Sequence, residues 1–218
     1  MASTLQSEPV RSILDELYER ARQGGRPPGP RPGGAPPMDA LSPQEHADAM
    51  ADRYMAIGRD TGVLAYSLIR AARPSVVVEF GMSYGVSALF IASALRDNGS
   101  GHLYTTELSG KKVAAASATF ADAGLDDLIT VLEGDARETL TTVTDEIGFV
   151  LLDGWKDLYT EILALLEPRL RPGALILADN TDSPGAAPYL DVVRAGGDYT
   201  GVPLPGKHGD SVELSCRL

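Results

Sequence analysis

The chain has 218 residues, 44% of them hydrophobic and 22% charged, enough for one α/β domain with a full core. A formal charge of −11 without any basic stripe argues against nucleic acid and anionic membrane as partners. A lone Cys216 excludes an internal disulfide, no apolar run approaches the roughly 20 residues of a membrane span, and the N-terminus lacks a signal-peptide pattern, so a cytoplasmic protein is expected.

The first helix is read in residues 9–22, where Val10, Ile13, Leu14 and Leu17 share one face. It is too short to stand alone in water. It must pack on the main domain or on a second copy of the chain, the latter making a homodimer. Eleven of the fourteen residues 24–37 are Gly or Pro, which forbids helix or central strand and leaves a linker or a lid. The expected organisation is an N-terminal helix over 1–23, a connector over 24–40 and a catalytic domain over 41–218.

Structure resumes at Ser42-Pro43-Gln44-Glu45, where Ser42 can cap a helix, Pro43 suits its first position and Glu45 completes a capping box. A further helix is expected around Asp60–Ala72, ended by Pro74. Strands and helices then alternate: SVVVEF, VSALFIASALR, HLYTTE, KKVAAASATFADAG, ITVLE, ETLTTV, GFVLLD, DLYTEILALLEPRL, ALILAD. Continuous apolar strands spaced by amphipathic helices indicate a mostly parallel sheet with helices on both faces. Two last strand-like pieces, DYTGVPLP and SVELSCRL, are joined by a short loop and predict an antiparallel hairpin.

Parallel sheets bind ligands beyond the carboxyl ends of their strands. The first such end reads Glu79-x-Gly81-x-Ser83-x-Gly85, without the dinucleotide fingerprint G-x-G-x-x-G. This run resembles motif I of class I S-adenosylmethionine-dependent methyltransferases, with one glycine replaced by Ser83; a purely structural strand–helix turn is the alternative. Glu107 ends the second strand, where an acid can accept both hydroxyls of a ribose. Asp135 ends the third, as an acceptor for an adenine amino group or simply as a helix cap.

Asp153 and Asp179 end the fourth and fifth strands. Facing carboxylates repel unless a proton or cation lies between them. With the neutral oxygen of Asn180 they form a hard-oxygen set suited to Mg²⁺, the alternative being that each caps the segment that follows. The histidines are scattered, so no zinc set is grouped. Lys156 follows Asp153 by three residues, placed to serve as a general base or, if merely solvated, nothing.

DGWKDLY followed by LLEPRLRPGALILADNTDSPGAAPYL resembles the catechol O-methyltransferase family, over roughly Tyr54 to the C-terminus. The resemblance implies a Rossmann-like class I methyltransferase sheet. It places Asp153, Asp179 and Asn180 on metal ligands and Lys156 on the catalytic base. Trp155 and Pro184 fall on walls gripping the substrate ring. Met55, Ile57, Gly58, Glu79, Gly81, Ser83, Ser87, Glu107, Asp135 and Asp153 fall on the cofactor side. Gly154 departs from a histidine of animal members, and Arg53 stands near their aromatic gatekeeper, which favours an acceptor bearing a carboxylate. The implied reaction is Mg²⁺-dependent methyl transfer from S-adenosylmethionine to a hydroxyl of a small catechol-like phenol. The competing readings are a metal-independent methyltransferase acting on a single hydroxyl, carboxyl or amine, and, less favoured, a nicotinamide oxidoreductase or a non-catalytic cofactor-binding module.

Overall fold

The computed structural model describes residues 3–24 and 41–218. All but one residue of the expected Gly/Pro connector, assigned to 24–40, therefore lies outside the described residues.

Helix α1 covers Glu8–Gly24 and is preceded by a 3-10 turn at Thr4–Gln6. Its apolar stripe is spent on its own chain: Val10, Leu14 and Leu17 are buried in the same core as α4. Helix α2, Pro43–Ala49, starts with the expected capping box, Ser42 accepting from the Glu45 amide while Glu45 accepts from the Ser42 amide. Helix α3 spans Arg59–Ala72. Beyond it the elements are β1 (Val76–Phe80), α4 (Val86–Asn98), β2 (His102–Glu107), α5 (Gly110–Asp122), β3 (Ile129–Glu133), α6 (Ala136–Thr139), β4 (Ile147–Leu152), α7 (Tyr159–Leu166), β5 (Leu170–Asp179), α8 (Ala187–Arg194), β6 (Tyr199–Pro205) and β7 (Ser211–Arg217).

These form a seven-stranded sheet of order β3-β2-β1-β4-β5-β7-β6, parallel except for β7, which runs antiparallel to both β5 and β6. Alternate residues of the central strands feed two cores. Val77, Phe149, Leu151 and Leu177 join α1, α3, α4 and α5 on one face. Val76, Val78, Val150, Leu152 and Ile176 join α6, α7 and α8 on the other. The chain reverses its order between β1 and β4, which opens a crevice at their carboxyl ends.

Two expectations need adjusting. The continuous helix read from Asp157 to Leu170 is divided into a 3-10 turn at Lys156–Leu158, α7, and a second 3-10 turn at Glu167–Arg169. Helix α8 had no counterpart in the sequence reading.

Candidate active site

A cleft of about 1140 Å³ opens over the carboxyl ends of β1, β2 and β4. The turn after β1 is made by residues in the left-handed region: Gly81 at φ 99°, Ser83 at 50° and Gly85 at 82°. Ser83 thus keeps the backbone shape that a glycine would supply, at the cost of a strained serine. A Cβ on Gly81 would stand 2.6 Å from the backbone of Gly154, so the turns after β1 and β4 touch main chain to main chain.

Glu107, at the end of β2, is held by three backbone amides: Ser83 at 2.8 Å, Leu108 at 3.0 Å and Ser109 at 2.9 Å. Its carboxylate lines the cleft with Gly81, Ser83, Met55, Ile57 and Gly58. Glu79 and Ser87 behave otherwise. Glu79 is wholly buried and accepts from the Thr105 hydroxyl, Ser87 is buried too, and neither of the two lines the cleft. Burial pushes the Glu79 carboxyl up to about 7, against the lowering effect of the Ser87 and Thr105 hydroxyls. Glu79 and Ser87 therefore brace the turn from beneath rather than face a cofactor.

Asp135 lines the cleft but is also the cap of α6, accepting from the Arg137 amide at 2.9 Å and pairing with its guanidinium at 2.6 Å. That Arg137 bond holds its carboxyl below the usual range. The capping alternative is thus realised, with the carboxylate still at the cleft wall.

The acid-tipped strands are neighbours, with Leu152 opposite Ala178. Lys156 Nζ donates to Asp153 Oδ1 at 3.2 Å and to the Tyr159 hydroxyl at 2.9 Å. That hydroxyl lies 2.7 Å from the Leu152 carbonyl oxygen and 2.9 Å from that of Asp179, the last links of β4 and β5. Tyr159 is fully buried, so its ring pins Lys156 to both strand ends. Asp179 is buried beside this group, and its carboxyl is raised to about 6 by burial first and by repulsion from Asp153 second, against the attraction of Lys156 and Lys207.

Asn180 holds φ 56° and donates its amide nitrogen to Asp210 at 2.9 Å, which assigns its oxygen to other partners. Two repelling carboxylates and an amide oxygen fit a hard divalent cation. Among the described residues no three His, Cys, Asp or Glu side chains gather into one group, so the set here is two carboxylates and an amide. Asp153 and Asn180 line the cleft, whereas Asp179 stands behind them.

Trp155 lines the cleft, its ring stacked on His46 of α2 with centroids 4.2 Å apart. Pro184 is exposed at the start of a 3-10 turn whose last residue, Ala186, is buried, and it does not line the cleft, contrary to expectation. Arg53 does line it. Sequence reading missed Tyr18 and Lys112, which line the cleft from α1 and α5, and Lys207, from the β6–β7 loop. Tyr18 and Lys207 are remote from the motifs in sequence, and Lys112, five residues after Glu107, had no local signal beyond a polar tip on an apolar face.

A family model described as a methyltransferase domain matches residues 78–181. Catechol O-methyltransferase of Sus scrofa is 36% identical over 155 residues, covering 68% of this chain and 82% of that protein. Catechol O-methyltransferase of Bos taurus is 33% identical over 147 residues, covering 64% of this chain and 53% of the longer bovine protein. An O-methyltransferase from Bacillus cereus, solved in complex with SAH, superposes with a TM-score of 0.69 at 19% identity, covering 95% of this chain and 91% of that one, which speaks for the fold. With the strand order, the motif I turn and the Asp153–Lys156–Asp179 group, the pig relative places this chain in the catechol O-methyltransferase family, as a class I S-adenosylmethionine-dependent O-methyltransferase.

Proposed function

We propose that the enzyme methylates one hydroxyl of a small vicinal dihydroxy-aromatic and requires a divalent cation, Mg²⁺ by the hardness of the donors. The observation that carries this reading is the meeting of the Lys156 amine with Asp153 and Tyr159, beside Asp179 and Asn180. Asp153, Asp179 and the Asn180 oxygen would hold the cation, whose role when bound is to gather two adjacent substrate oxygens and acidify the reacting hydroxyl.

The remaining work belongs to side chains. Lys156 takes the hydroxyl proton; the oxygen–carbon bond forms as the sulfur–carbon bond of the donor breaks, leaving a neutral thioether. Trp155, backed by His46, offers a flat wall for the ring. Glu107, fixed by its three amides, presents a carboxylate for the ribose diol. Alignment within the cleft supplies most of the acceleration in such a displacement. The lone cysteine and acidic chain support a cytoplasmic setting.

The test is release of S-adenosylhomocysteine from a pool of vicinal dihydroxy-aromatics, with Mg²⁺ and with EDTA. Turnover that vanishes in EDTA and returns with Mg²⁺ is expected. Turnover indifferent to EDTA would replace this reading with metal-independent transfer to a single hydroxyl, carboxyl or amine.

A further inference from the structure

The described wall of the cleft carries seven basic side chains against four acidic ones, in a chain whose formal charge is −11. Five of the seven are already engaged. Arg22 pairs with Glu19, Arg59 with Asp15, Arg137 with Asp135 and Lys156 with Asp153, while Lys207 donates to the Ala56 carbonyl. That leaves Lys112 and Arg53, whose side chains make no hydrogen bond or ion pair with any described residue.

Lys112 is costly where it stands. The residue is 2% exposed, and its amine lies 5.9 Å from the centre of the Tyr84 ring. It occupies the first turn of α5, where the nearby Glu107 carboxylate is already taken up by the amides of Ser83, Leu108 and Ser109. Burial lowers its affinity for a proton, the charge of Arg53 lowers it further, and only Glu107 opposes them. A cation kept against burial and a neighbouring guanidinium is short of an anion.

We propose that Lys112 and Arg53 form a carboxylate-binding subsite of the cleft. With Glu107 nearby, the three groups sum to a single positive charge, which matches a monoanion and not a phosphate dianion. The carboxylate comes either from the amino-acid end of the methyl donor or from an acidic acceptor. The acceptor source rests on the proposed reading of the cleft as a site for dihydroxy-aromatics; the donor source does not.

The experiment compares wild type with Lys112→Met, which keeps the buried stem and removes the charge, and with Lys112→Arg, which restores it; Arg53→Met is run in parallel. Calorimetry reads the affinity for S-adenosylhomocysteine and for 5′-methylthioadenosine, which lacks the amino-acid end. It then reads 3,4-dihydroxybenzoate against neutral catechol on the enzyme loaded with S-adenosylhomocysteine. Removing one charge-assisted contact should cost roughly 10- to 100-fold in affinity for the carboxylate-bearing ligand alone. A loss confined to S-adenosylhomocysteine over methylthioadenosine assigns the subsite to the donor. A loss confined to dihydroxybenzoate over catechol assigns it to the acceptor. Lys112→Arg should recover either loss in part. The proposal is overturned if Lys112→Met and Arg53→Met leave both ratios within about twofold of wild type while melting at or above the wild-type temperature. Failure of every dihydroxy-aromatic to bind or react would count against the function proposed above and leave the donor comparison decisive.

Discussion

Tyr159 is the residue on which the proposed chemistry depends most without touching substrate. Its hydroxyl accepts from Lys156 and faces two strand-end carbonyls, so its removal frees the amine while leaving Asp153 as the one remaining anchor. Tyr159→Phe should lower kcat about 10- to 100-fold, the worth of one hydrogen bond to a charged group, with KM for the donor unchanged. Lys156→Ala should cost about 10²- to 10⁴-fold, and the double variant no more than Lys156→Ala alone. Additive losses would show that Tyr159 acts elsewhere. Asp179 carries a separate expectation, because a cation must displace the proton that burial and Asp153 hold on it up to about 6. Affinity for Mg²⁺ should be level above about pH 7 and fall about tenfold per unit below about pH 6. Calorimetric titrations at pH 5, 6 and 7.5 check this, and equal affinities would detach Asp179 from the metal. Asp153, Lys156 and Asp179 were legible in the sequence because each interrupts or follows an apolar run that has only one plausible place in a sheet. Lys112 and Lys207 were not, since nothing near them in sequence shows which cavity the tertiary fold brings them to.

At the level of elements, seven strands and most helices could be read from periodicity, because a parallel sheet buried on both faces writes itself as unbroken apolar runs. Helix α8 escaped because Pro184, Gly185 and Pro188 read as loop. Both prolines sit in first turns, Pro184 of the 3-10 turn and Pro188 of α8, where a missing N–H costs nothing. Periodicity was also silent on how closely the turns after β1 and β4 press together. A Cβ on Gly154 would stand 2.5 Å from the Phe80 ring, which gives a physical reason for glycine where the resemblance expects histidine in animal members. Gly154→His should therefore destabilise the fold by about 1–3 kcal/mol, as overpacking does. Because the obstacle is the far edge of a side chain, Phe80→Leu in the same chain should restore much of the loss, whereas it should not rescue Gly81→Ala, whose obstacle is backbone at a left-handed φ. Thermal melts of the single and double variants decide it. A Gly154→His protein that melts with wild type would mean that Phe80 simply swings aside.

For the molecule as a whole, the N-terminal segment is part of the catalytic body. Helix α1 places Val10, Leu14 and Leu17 in the core and Tyr18 in the cleft wall, with Arg59 lying 4.5 Å over the Tyr18 ring. Ahead of it, Thr4 and Ser3 fasten the chain to Asp97 near the end of α4: Thr4 donates its amide at 2.9 Å and its hydroxyl at 2.5 Å, and Ser3 its hydroxyl at 3.0 Å. Burial alone would raise the Asp97 carboxyl, but these bonds and one from Tyr66 at 2.6 Å together hold it down to about 2. A carboxyl depressed in the folded state stabilises wherever the unfolded chain would already be ionised, above about pH 4, and that stabilisation drains away as the pH falls through about 2. Asp97→Asn should accordingly lower the melting temperature by a constant amount above about pH 5, with the gap closing between about pH 4 and 2. A gap that persists to pH 2 would mean that the loss comes from packing rather than from the charge. Because the fastening precedes the helix that walls the cleft, the same variant should weaken S-adenosylhomocysteine binding at neutral pH, and unchanged affinity would show that α1 keeps its place without it.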